Sequence, residues 1–200
     1  MAIAYPDPAA VPPVPPLSPP GGLPAATGAV SPLTSLPRRH IDLLPVAEGF
    51  AVSAPAIPEL QEVTERSWVL LAVTDLFEAW AIAWPPGGRI ELHDHGHSHG
   101  AVAVVSGVLV ETSVRVSRGG EAMIGTHRLS AADHRRFGPH YVHDLINDDE
   151  QQAVSVHVYG PRLTTMSYYG LSANGRLDLV RTEAVPPLGP FDATSTHDPS

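Results

Sequence analysis

Four histidines stand at alternate positions in the stretch His93-Asp94-His95-Gly96-His97-Ser98-His99-Gly100. A neutral imidazole offers a metal one ring-nitrogen lone pair. In an extended strand, alternate side chains share a face, and neighbours at i and i+2 sit roughly 6.5 Å apart. Two such rings can hold one ion at about 2.1 Å each. Residues at i and i+4 are about 13 Å apart, too far to share it. One adjacent pair can therefore hold a metal, and a third ligand must come from elsewhere in the chain. Asp94 would point to the opposite face and is expected to be a supporting or surface residue. A histidine-rich loop that merely picks up stray metal is the plainer reading of the same stretch.

The rest of the chain must supply the scaffold. Its 200 residues suit one domain with a tail, and an apolar content of 43% is enough for one core. There are 12 Lys plus Arg against 21 Asp plus Glu, a formal charge of −9, and every cation is arginine. That balance argues against a nucleic-acid partner and against attraction to an anionic membrane. Cysteine is absent, so there is no disulfide, thiolate ligand or cysteine nucleophile. No apolar run approaches the ~18 residues of a spanning helix.

Residues 1–34 read as a proline-rich arm, with Pro12-Pro13, Pro15-Pro16 and Pro19-Pro20 ahead of Gly21-Gly22. Such a segment cannot bury enough surface to offset its ordering entropy, so disorder with polyproline II character is expected. The first arginine is Arg38; with no basic n-region an export signal is not expected, and a cytoplasmic location is the default. Residues 35–185 read as the folded domain and 186–200 as a flexible tail.

Ser35 followed by Pro37 looks like a helix start, with Ile41, Leu44 and Phe50 as an apolar stripe that Pro45 limits. A second short helical piece is expected from Pro58 through Glu65. Then the period changes. Residues 68–73, 77–84, 101–105, 108–116 and 153–159 read as strands. Asn174-Gly175 between 167–172 and 176–180 predicts a hairpin with a type I′ turn. Short helices followed by many short strands predict an all-β fold, an antiparallel barrel or jelly roll.

The register of the histidines adds more. Gly87 is followed after five residues by His93-x-His95, after four more by Gly100 and after six more by Gly107. This resembles the first cupin motif, with Gly100 where that motif has a glutamate. His143 followed after three residues by Asn147 resembles the second, although Gly138-Pro139-His140 replaces its usual lead-in. Loss of the glutamate marks the cysteine dioxygenase family of cupins. Trp84-Pro85-Pro86-Gly87 through Gly100, and His143 through Tyr159, are similar to that family's two motifs. The resemblance covers roughly residues 58 to 181 and implies a cupin double-stranded β-helix.

It further implies an Fe(II) held by His93, His95 and His143, with His140 the rival of His143. His97 and His99 are expected to support the site or face solvent. Three imidazoles leave positions for a bidentate substrate and O2, and without a carboxylate ligand the site keeps a full positive charge that favours a thiolate. The implied reaction is thiol dioxygenation: both atoms of O2 pass to a small thiol, L-cysteine first, to give a sulfinic acid. 3-Mercaptopropionate or another mercapto acid is the alternative substrate. Ser155, His157 and Tyr159 alternate on one strand and so share a face. In the family this is a hydrogen-bond chain that aims the phenol at substrate and oxygen, with packing of the barrel interior as the simpler reading. Gly100 takes the place of a cysteine that many members crosslink to the tyrosine, so no crosslink forms here.

The family's carboxylate-clamping arginine on the early strand is replaced by Val69 or Leu70, with Arg66 a possible substitute in shifted register and Arg162 another. Trp80 and Trp84 are expected to be core aromatics. The same ligand set accepts Zn(II) and water for hydration or hydrolysis, and a non-enzymatic cupin that binds a ligand or metal is the third reading. A monomer is expected.

Overall fold

The structure, a computed structural model, describes residues 41–186 apart from Gly119. The proline-rich arm, the helix start at Ser35 and all but the first residue of the tail lie outside the described residues. The described residues run through one helix, α1 (Leu44–Ser53), two 3-10 turns (Ala54–Ala56 and Pro58–Leu60) and then eleven strands. The strands are β1 (Ser67–Val73), β2 (Glu78–Trp84), β3 (Arg89–Asp94), β4 (His99–Ser106), β5 (Val108–Val116), β6 (Ala122–Ser130), β7 (His134–Phe137), β8 (Val142–Ile146), β9 (Ala153–Gly160), β10 (Thr165–Leu171) and β11 (Leu177–Ala184).

Pro45, expected to limit the apolar stripe, stands where the helix begins. It sits in the first turn of α1, where its missing N–H is not needed and its fixed φ suits the helix. The expected helix from Pro58 to Glu65 shrinks to a single turn. Gln152 explains this: its Nε2 donates to Leu60 O at 2.7 Å, and its Oε1 accepts from Val63 N at 2.8 Å. A side chain from the barrel takes the backbone groups that another turn would have used.

The strands form two antiparallel sheets, ordered β1-β2-β9-β4-β7 and β11-β10-β3-β8-β5-β6. This is the expected all-β jelly roll, the double-stranded β-helix. The five-stranded sheet is covered on both faces. On one side α1 contributes Leu44 and Ala47, and they meet Ala79, Ala81, Ala83, Ala101 and Ala103. These small side chains let the helix sit close to the sheet. The other face looks into the barrel, where Trp84, Val104, Leu109 and Leu145 pack. As a result every residue of β9 is buried. Val154, Val156 and Val158 belong to the helix-side core, and by the two-residue period Ser155, His157 and Tyr159 face the barrel interior.

The β10–β11 hairpin forms as expected, but not through a type I′ turn. Gly175 N donates to Ser172 O, and Ser172 N donates to Arg176 O, both at 2.9 Å. Gly175 has φ +74° and Asn174 is not left-handed, whereas type I′ needs both central residues there. Ser172 Oγ accepts from Arg176 N at 3.2 Å and helps hold a longer loop with a glycine bulge.

Candidate metal centre

β3 and β8 are hydrogen-bonded neighbours, and their register sets His93 opposite His143 after a shift between Ile90 and His93. His95 follows at the end of β3. The three side chains are 2%, 2% and 1% exposed, and one nitrogen from each lies within 4.8 Å of the other two. His93 Nε2 and His95 Nε2 are 3.1 Å apart, the separation expected of two nitrogens about 2.1 Å from a shared ion. His143 Nε2 is buried with no hydrogen-bond partner among the described residues. An orphaned buried nitrogen is costly unless something binds it, and a metal fits this donor set. Burial first, then neighbouring imidazoles, pushes His93 down to about 3 and His95 well below its ordinary value. The His93 and His95 rings are therefore neutral, the form that ligates.

The alternation stops at Gly96. Its φ of +56° turns the chain out of the strand, and a Cβ there would overlap Thr165 Oγ1, so glycine is required. His97 is consequently exposed and packs 5.1 Å from His140. His140 sits in a turn at φ +57° with its side chain 60% exposed. His143, not His140, joins the buried cluster. Asp94 is not a surface residue: it is buried, accepting from Gly96 N at 2.9 Å and from the Tyr169 hydroxyl at 2.7 Å. These bonds tie the loop after β3 to β10.

Three further residues shape the site. Glu111 of β5 is a buried carboxylate, 2.9 Å from His143 Nδ1 and 3.1 Å from Arg135 Nε. Burial works to raise its pKa, yet His143 and Arg135 hold it below the ordinary carboxylate value. Its place on one strand face with Leu109 and Ser113 was a usable sequence signal, since an acidic residue among core-facing positions asks for a partner. Phe137 stacks on His95 with centroids 5.0 Å apart. A Cβ on Gly100 would overlap this ring, so the phenyl group fills the space beside that glycine. Trp84 is a core aromatic as expected, but its indole Nε1 also donates to Ser155 Oγ at 2.9 Å.

That last bond gives the strand β9 chain a direction. An indole N–H can only donate. Ser155 is fully buried, and its own proton has one acceptor among the described residues, His157 Nε2 at 2.9 Å. His157 therefore carries its proton on Nδ1, 3.3 Å from the Tyr159 oxygen. The phenol accepts there, which frees its O–H. Burial first raises the Tyr159 pKa, so the phenol stays protonated, while burial pushes His157 down to about 3. The Tyr159 ring lies 4.8 Å from that of His95.

The two arginines part company. The Arg66 guanidinium lies 5.4 Å from the Trp84 ring and 5.6 Å from that of Trp68 and donates to Arg89 O at 3.3 Å. It forms no ion pair among the described residues. Burial lowers its pKa, and its charge is felt by His93, His157 and Tyr159. Arg162 acts instead on Glu78, which is buried and accepts from Trp80 Nε1 at 3.2 Å.

Comparison with known proteins gives three results. No curated protein matches the chain. Among solved structures, it is similar to oxalate oxidase in complex with the substrate analogue glycolate, at 16% identity and TM-score 0.43, over 52% of this chain and 52% of that one. It is also similar to a conserved Klebsiella pneumoniae protein with a double-stranded β-helix domain (22% identity, TM-score 0.41, 49% of this chain and 74% of that one). The cupin domain of Schizosaccharomyces pombe Cnp3 is a third (13%, TM-score 0.41, 50% and 66%). The matches thus span between about half and three quarters of these proteins' own lengths. Among the described residues, no helix is long and apolar enough to cross a membrane. A family model for cysteine dioxygenase type I matches residues 59–172. Matched over more than half of its length, and folded as a cupin double-stranded β-helix, the chain belongs to the cysteine dioxygenase type I family.

Proposed function

We propose that this chain is a mononuclear Fe(II) thiol dioxygenase that adds both atoms of O2 to the sulfur of a small thiol, L-cysteine first, giving a sulfinic acid. The observation that carries the reading is the buried cluster of three imidazoles with no carboxylate among its ligating atoms. His93, His95 and His143 would hold the iron through Nε2, and iron, when bound, supplies the redox chemistry. Neutral ligands leave its charge undiminished, which suits an anionic thiolate, and soft sulfur adds preference.

The protein's own residues bind, orient and exclude water. Arg66 is the better candidate to hold a substrate carboxylate, because it is desolvated, flanked by two indoles and without an anionic partner among the described residues. A guanidinium in such surroundings grips a carboxylate through paired hydrogen bonds. Arg162 is the weaker candidate because Glu78 already answers its charge. Tyr159 offers its O–H to the reacting groups, with His157 and Ser155 fixing its direction from behind. Residues 35–185 form the catalytic domain. A carboxylate clamp serves cysteine and 3-mercaptopropionate alike, so the choice between them turns on whether the amine is recognised.

The test is oxygen uptake by the Fe(II)-loaded protein with cysteine, 3-mercaptopropionate, cysteamine and mercaptosuccinate. Uptake with sulfinate formed, strongest for carboxylate-bearing thiols, is the expected result. No uptake with any thiol at one bound iron per chain sinks the reading and turns attention to zinc chemistry or ligand binding.

A further inference from the structure

We propose that Glu111 is a positioning residue for the metal centre: it fixes the His143 tautomer that leaves Nε2 bare for the metal. The inference rests on the three-histidine centre proposed above, not on which thiol is oxidised. Glu111 is 2% exposed, and a carboxylate in a barrel interior is costly unless it is paired and hydrogen-bonded. Its two oxygens are served differently, Oε1 by a hydrogen bond and Oε2 by an ion pair without a hydrogen bond. Oε1 lies 2.9 Å from His143 Nδ1, and Oε2 lies 3.1 Å from Arg135 Nε. Arg135 in turn donates to the Tyr141 hydroxyl at 3.4 Å. The guanidinium keeps the carboxylate ionised, and an ionised carboxylate can only accept hydrogen bonds. The His143 proton must then sit on Nδ1. Its lone pair is left on Nε2, the buried nitrogen that has no hydrogen-bond partner among the described residues.

The other two ligands are served differently. His93 Nδ1 donates to the main-chain oxygen of Glu91 at 2.7 Å, which any residue at position 91 would supply. His95 Nδ1 has no partner among the described residues, and its ring is held by stacking on Phe137. Among the described residues, only His143 of the three has a charged side chain set behind it. A carboxylate behind a ligating imidazole orients the ring and raises its basicity, and removing such a partner weakens metal binding by about 10–100-fold.

Glu111→Gln nearly preserves shape and gives a sharp test. Arg135 can only donate, so it takes the amide oxygen and turns the amide NH2 toward His143 Nδ1. That nitrogen must then accept, and the proton moves to Nε2, where the metal has to bind. Imidazole 15N shifts of the full-length, metal-free protein should show the His143 proton on Nδ1 in the parent and on Nε2 in the variant. The Fe(II) Kd, measured anaerobically against a competing chelator, should weaken at least about 10-fold. Adding Arg135→Met frees the amide oxygen to face His143. The double variant should regain the Nδ1 proton and most of the affinity, a rescue that general loss of stability does not produce. A Glu111→Gln protein that keeps its proton on Nδ1, or binds Fe(II) within about twofold of the parent, overturns the inference. So does a double variant that stays as weak as the single one. A parent protein with no affinity for Fe(II) overturns the metal centre itself, and the inference with it.

Discussion

His143 on β8 and His157 on β9 are both buried imidazoles, 1% and 3% exposed, held from behind by a neighbour on the barrel wall. The neighbours differ in kind. His143 faces the Glu111 carboxylate at 2.9 Å, whereas His157 stands between the Ser155 hydroxyl at 2.9 Å and the Tyr159 phenol at 3.3 Å. A carboxylate accepts one proton contact and leaves the far nitrogen bare, as a metal ligand requires. A hydroxyl on one side and a phenol on the other occupy both nitrogens, so the ring cannot ligate but can pass a direction along a chain. In the proposed enzyme the six-stranded sheet would supply metal ligands and the five-stranded sheet the oriented phenol.

The strongest way to break this comparison is to delete one ring at a time. His143→Ala should abolish stoichiometric Fe(II) binding, raising the Kd by more than about 100-fold, since a three-nitrogen site loses a ligand. His157→Gln and the exposed turn residue His140→Ala should keep iron near one per chain, read by metal analysis after gel filtration. Iron lost with His140 and kept without His143 would swap the ligand assignment.

Tyr159→Phe probes the other side. It removes only the hydroxyl at the end of the Trp84-Ser155-His157 chain, so iron content should stay unchanged. Turnover should fall on the order of 100-fold, the usual scale for a positioned proton donor. Single-turnover product formation at matched iron loading checks this, and unchanged turnover removes Tyr159 from the mechanism.

How much of this was legible in the sequence follows from which contacts are local. His93 and His95 stand two apart where β3 ends, Ser155, His157 and Tyr159 share β9, and a period of two aligns each group without knowledge of the fold. The barrel was legible for the same reason, since short strands and their turns are local patterns. Contacts across the barrel were not. Glu111 is 32 residues from His143 in sequence, and Phe137 reaches Gly100 only because β7 pairs with β4. Nor could the sequence show that Gln152 would take the backbone groups of Leu60 and Val63 and stop a helix there.

Gly100 sharpens the comparison from between the two sides, because it lies on β4, opposite Tyr159 of β9, yet its missing side chain is filled by Phe137, which stacks on His95. Gly100→Ala places a Cβ inside the phenyl ring and 2.9 Å from Val158 O. Overpacking of this kind costs up to about 3 kcal/mol, read by denaturant unfolding of the metal-free protein. Combining it with Phe137→Leu should recover part of that loss. A Gly100→Ala protein as stable as the parent would mean that the ring moves aside freely and does not hold His95.

The smallest effect tests whether His157 is neutral because of where it sits. Burial, with His143 and Arg66 adding repulsion, pushes it down to about 3 in the native state, against about 6.5 in the unfolded chain. Between those values the unfolded state binds a proton that the native state refuses. Stability therefore rises with pH across this window and falls as pH drops from about 6.5 toward 3. Between pH 7 and pH 5 the loss from this one ring is about 2 kcal/mol. His157→Gln has no proton to take up, so its metal-free form should lose about 2 kcal/mol less over the same interval, while every other titrating group is common to both proteins and cancels. Denaturant midpoints at the two pH values, read at constant m, measure the difference. Equal pH sensitivity would show that His157 takes up its proton in the folded barrel, and the chain behind Tyr159 would then lose its fixed direction.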